Sequence, residues 1–136
     1  MKRWIPLALA LALMSTVVRL PAAAAGGMST LEHDELDTSF NRMISEFYKK
    51  VDAQILLDGV HTRLLSFLSK NGVPRPTVPF AHASDDQQAT LHNLDREVNA
   101  VATTYGPKLG TRQITYAAIS GLLGAVHDKY TVFLSP

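Results

Sequence analysis

Apolar residues recur along this chain at helical spacing in four stretches, and glycines and prolines divide the stretches from one another. In the first, Phe40, Ile44, Phe47 and Val51 fall four, three and four residues apart, which is one face of a helix. The second runs from Ala53 to Ser69 and carries Leu56, Val60, Leu64 and Phe67 on one side. Leu57, Leu65 and Leu68 widen that stripe, which marks this helix as the central one. Asn71-Gly72 closes it, and prolines at 74, 76 and 79 prevent its continuation. The third stripe is Leu91, Leu94, Val98, Val101 and Tyr105. Its expected start is a capping box of Ser84 and Gln87 with Asp85 and Asp86 at the positive helix end, and its expected stop is Gly106-Pro107. The fourth begins with Thr111 as N-cap and continues through Ile114, Ala118, Leu122 and Val126.

Between the second and third helices, Val73 to Ala83 contains three prolines. Val73, Val78 and Phe80 give it apolar anchors, so an extended strap packed on the helices is expected. Gly121 and Gly124 each weaken the fourth helix by about 1 kcal/mol relative to alanine, which calls for another helix in close approach there. A spacing of 59 relates Gln54-Ile55 to Gln113-Ile114, Val60 to Ile119, Leu64 to Leu123, Phe67 to Val126 and Val73 to Val132. The second and fourth helices could therefore be related halves, although apolar periodicity alone also produces such matches.

The first 25 residues read differently. Lys2 and Arg3 precede an apolar run from Ile5 to Val18, and Ala22 to Ala25 supply the small residues of a cleavage site. Spanning a bilayer takes about 20 apolar residues, and Arg19 cuts this run short. Residues 1–25 are thus read as a signal peptide cleaved near Ala25–Gly26, with an uncleaved membrane anchor as the alternative. Residues 26–35 form a polar lead, 36–127 a helical domain, and 128–136 an extended tail that ends without a partner strand. The fold class is all-α, a small orthogonal bundle of about four helices. An exported location, periplasmic or extracellular, follows from the leader.

The charge balance of +1 arises from 13 basic and 12 acidic residues. Without Lys2, Arg3 and Arg19, 10 basic residues remain against the same 12 acids, a net charge of −2. No basic patch for nucleic acid remains. There is no cysteine, so neither disulfides nor thiolate metal sites are available.

Candidate chemistry is sparse. His33, His61, His82, His92 and His127 show no four-residue spacing of a metal-binding helix. His61 reads as an edge-of-core residue and His92 as lying on the wet face. Ser69 and Lys70 are sequence neighbours and so point in different directions on a helix. Ser120 lies inside a helix, where its hydroxyl is expected to bond a backbone carbonyl. Asp85-Asp86 fits helix-start electrostatics rather than acid–base chemistry. No catalytic, cofactor-binding or metal-ligating residues are assigned.

At Ala118-Ile119-Ser120-Gly121-Leu122-Leu123 and Asp128-Lys129-Tyr130-Thr131-Val132-Phe133-Leu134-Ser135-Pro136, the chain resembles the region preceding the PDZ module of carboxyl-terminal processing peptidases, the tail-specific serine proteases. That family commonly has Met at the position of Leu122 and proline at that of Lys129. Phe40 to Val51 is similar to the family's opening helix, and Leu57-Asp58-Gly59-Val60 to its second-helix motif. The likeness spans about Leu36 to Pro136 and is specific in the last 19 residues. It implies an exported peptidase with a serine–lysine pair and a PDZ module, both encoded beyond residue 136. The helices here would then be inactive alone and serve scaffolding or homodimer formation with protein partners, with a membrane contact only through an uncleaved leader. The competing expectation is a freestanding secreted helical module that binds protein through its tail. A small enzyme of another type is a third.

Overall fold

A computed structural model of the chain describes residues 26–45 and 51–126, and these form an all-α fold. Four helices follow in order, α1 (Thr30–Ser45), α2 (Ala53–Lys70), α3 (Gln87–Leu109) and α4 (Thr111–Gly124). The expected signal peptide and tail, with Phe47, Val132 and His127, lie outside the described residues.

The centre of the bundle is α4 and not α2. It packs against each of the other three helices. The sequence of α4 explains this, because Ile114, Thr115, Ala117, Ala118, Ile119, Gly121 and Leu122 are all buried and take up roughly 200° of its circumference. The core it organises includes Leu36 and Phe40 from α1, Leu56, Val60 and Leu64 from α2, and Leu94 and Val98 from α3, all fully enclosed.

Helix boundaries follow from local hydrogen bonding, and several differ from the sequence expectation. The polar lead is shorter than residues 26–35, since α1 already begins at Thr30. Ser29 and Glu32 form a reciprocal capping box. The Ser29 N–H donates to Glu32 Oε2 at 2.8 Å, and the Glu32 N–H donates to Ser29 Oγ at 3.2 Å. The α1 core face is Leu36, Phe40 and Met43, with Ile44 packed at its margin.

At the end of α2 the Val73 N–H reaches the Leu68 carbonyl (3.0 Å) and the Gly72 N–H reaches Ser69 (3.2 Å). This is the Schellman arrangement, which places Gly72 at φ +82, where a side chain would be strained. The N-cap of α3 is Asp86, whose carboxylate accepts from the Gln88 N–H, and not Ser84. Gly106-Pro107 does not end α3, which runs on to Leu109. Proline so near the end removes one backbone bond, and the carbonyl it leaves unpaired belongs to exposed Thr103, where water can serve it. The stop is Gly110 at φ +90, which also opens α4. Thr111 is therefore not the N-cap, and its hydroxyl donates to Glu32 Oε1 at 3.0 Å, tying α4 to α1.

The proposed duplication does not keep its register. Ile55 is half exposed while its counterpart Ile114 is sealed, and the glycines that cross between α2 and α4 are Gly59 and Gly121, which are 62 positions apart.

Candidate functional site

Prolines 74, 76 and 79 prevent residues 73–83 from coiling, and the chain crosses the bundle as a strap that α2 holds down. The Gln54 side chain donates to the Ala81 carbonyl (3.3 Å) and accepts from the Ala83 N–H (2.8 Å). Val78 and Ala81 are buried beneath it, as expected of an apolar strap. Phe80 is not. It is 68% exposed, and its ring stacks on that of His61 at 3.8 Å between centroids and 18° between planes. The buried His61 of α2 thus gives this exposed ring a stacking partner.

His61 sits halfway along α2 facing Glu97 on α3. Its Nδ1 lies 3.2 Å from Glu97 Oε1 and 3.3 Å from the Pro79 carbonyl. A carbonyl can only accept, so this arrangement puts the ring proton on Nδ1. Glu97 is 2% exposed, and its Oε2 has no hydrogen-bond partner among the described residues. Burial pushes its carboxyl up to about 8, and the charge of Asp58 adds to the rise. A hydrogen bond with the Ala81 backbone opposes it. At neutral pH Glu97 therefore carries a proton. A cleft of about 470 Å³ opens between the strap and the α3 face formed by Asn93, Arg96, Glu97 and Ala100.

Two further clusters lie elsewhere. His33 Nδ1 approaches Asp95 Oδ1 at 3.4 Å. Beside them, burial and a hydrogen bond with Asp95 raise the Asp37 carboxyl to about 6, a shift opposed by the charge of His33. At the α2–α4 crossing, a Cβ on Gly59 would come within 2.7 Å of the Gly121 carbonyl, and one on Gly121 within 2.7 Å of the Gly59 carbonyl. The close approach inferred from the glycines of α4 is thus real at Gly121. At Gly124, by contrast, a Cβ would meet no described residue within 4 Å. A groove of about 550 Å³ runs along this crossing between Ile55, Arg63 and Ser120.

His82 and His92 are both exposed, and His82 lines the cleft beside Phe80. No three metal-ligating side chains converge among the described residues. Ser69 and Lys70 are exposed and not bonded to each other, and the Ser120 hydroxyl makes none of the expected backbone bonds. Ser39, Ser45 and Thr115 bond back to the carbonyl four residues earlier instead. Among the described residues no serine hydroxyl is hydrogen-bonded to a histidine or lysine. Sequence reasoning missed Glu97, although it stands three residues after Leu94 and beside Val98 on the apolar stripe, a position that marks a buried acid. No described helix is long and apolar enough to cross a membrane. No protein-family model, curated protein or solved structure matches this chain.

Proposed function

We propose that these helices are a non-catalytic accessory module of an exported carboxyl-terminal processing serine peptidase, acting as a scaffold or in self-association. One observation carries this reading. Leu57-Asp58-Gly59-Val60 and Ala118 to Leu123, two segments that resemble the family, are the ones that pack on each other, with Gly59 and Gly121 at the point of contact. Segments that meet backbone to backbone constrain each other's residue size, so their joint likeness has a physical basis. The PDZ module and the serine–lysine pair would be supplied by sequence on the C-terminal side of Pro136.

A second reading is an exported binding module, and what favours it is the open cleft beside Phe80. The transcript 3′ to the Pro136 codon separates the two. An open frame encoding a PDZ-like segment and a serine–lysine core supports the peptidase module, and an in-frame stop refutes it.

A further inference from the structure

The strap divides its backbone groups between two sides. Toward α2 lie the Pro79 carbonyl near His61 and the Ala81 carbonyl and Ala83 N–H on Gln54, while the Ala81 N–H bonds Glu97 of α3. The His82 carbonyl also faces α3 and accepts from Asn93 Nδ2 at 2.8 Å. Phe80 and His82 both line the cleft, and the N–H of neither is taken by a described residue.

The facing wall is also rich in donors. Asn99 Oδ1 already accepts from the Met28 N–H at 3.0 Å, so its amide nitrogen is the group left over. Arg96 is exposed and forms no ion pair with any described residue. Glu97 lies at the floor, nine-tenths buried and more, with Oε2 unpartnered. Against these donors the open acceptors are the Phe80 carbonyl and Asn93 Oδ1. Glu97 is neutral at pH 7, which leaves the Arg96 guanidinium as a formal positive charge without a counterion. Above it the Phe80 ring offers an apolar face.

We infer that the cleft between the strap and α3 binds a carboxylate carried next to an apolar or aromatic group, with Arg96 holding the carboxylate and Phe80 the apolar part. A guanidinium is the side chain best shaped to grip a carboxylate through two parallel hydrogen bonds. Free N–H groups of Phe80 and His82 add donors to the same anion, and the cleft volume suits an acid of that size. A free small acid and the end of a peptide offer the same chemistry.

The test is a titration of the full chain, followed by amide chemical shifts and calorimetry, with three probes. They are N-acetylphenylalanine, its neutral amide, and an acetylated tetrapeptide with phenylalanine last. The free acid or the tetrapeptide should shift the Phe80 and His82 N–H signals, and the tighter of the two identifies the source of the carboxylate. The amide should bind at least tenfold more weakly. Arg96→Gln, at an exposed position, should lower affinity tenfold or more with an unchanged thermal melt. Equal binding of acid and amide, wild-type affinity in Arg96→Gln, or no shift at either amide with any probe overturns the assignment.

Discussion

Two glycines three positions apart on α4 should respond to alanine with opposite signs. At Gly121 the new Cβ would meet the Gly59 carbonyl at 2.7 Å, the Val60 Cα at 2.9 Å and the Arg63 Cβ at 2.9 Å. Ordinary contact begins at 3.4 Å, so α2 and α4 must part by about 0.7 Å, and two of the three obstacles are backbone. A gap of that size forfeits roughly a quarter to a half of the dispersion attraction across it, and overpacking of this kind costs about 1–3 kcal/mol. The helix-propensity gain of about 1 kcal/mol offsets only part. Gly121→Ala should therefore lose about 1–2 kcal/mol net, which lowers the melting temperature by roughly 5–15 °C in a domain of this size. A Cβ at Gly124 would meet no described residue within 4 Å, so Gly124→Ala should gain up to about 1 kcal/mol from propensity alone. Urea and thermal unfolding followed by circular dichroism at 222 nm measure both. A Gly121→Ala protein as stable as the parent, or a Gly124→Ala protein as damaged, would refute the close crossing of α2 and α4.

Other outcomes follow from the same structure. Folded Glu97 holds its proton up to about pH 8, whereas the unfolded carboxyl releases it near 4.5. Stability should fall as pH rises through that window and level off above it, with a slope of at most about 1.4 kcal/mol per pH unit from this group. Melts between pH 6.5 and 8 avoid most of the Asp37 titration near 6, and the slope there should flatten in Glu97→Gln. An unchanged slope would show that Glu97 is ionised in the fold. Ser29→Ala removes the acceptor for the Glu32 N–H and should cost about 1 kcal/mol, seen as faster amide exchange in the first turn of α1. Phe80→Ala removes a ring that is mostly in water, so its thermal cost should stay below about 1.5 kcal/mol, the range of an aromatic stacking pair.

The sequence made the helices legible wherever an apolar stripe and a polar boundary coincided. The limits of α2 were read to within one residue because Asn71-Gly72 supplied the stop in local chemistry. Boundaries failed where a rule competed with tertiary context. Pro107 reads as a terminator, yet an exposed final turn tolerates it. Thr111 reads as a cap, yet its hydroxyl is drawn to Glu32 across the bundle. The Ser29-x-x-Glu32 spacing was visible and would have placed the start of α1, but it stands ahead of the apolar stripe and was read as polar lead. The central position of α4 was obscured because Ala117, Ala118 and Gly121 are small, and small residues register weakly as apolar pattern while permitting the closest packing. The cleft could not be read in advance, since it depends on which strap carbonyls and N–H groups face inward, and periodicity does not encode that choice.

The claim that these helices lend support but perform no reaction is tested most directly by treating the purified chain with a fluorophosphonate probe and a peptide bearing a C-terminal fluorophore. The account predicts no labelled serine and no cleavage above buffer. A fluorophosphonate adduct on any serine, together with turnover of the peptide, would contradict it.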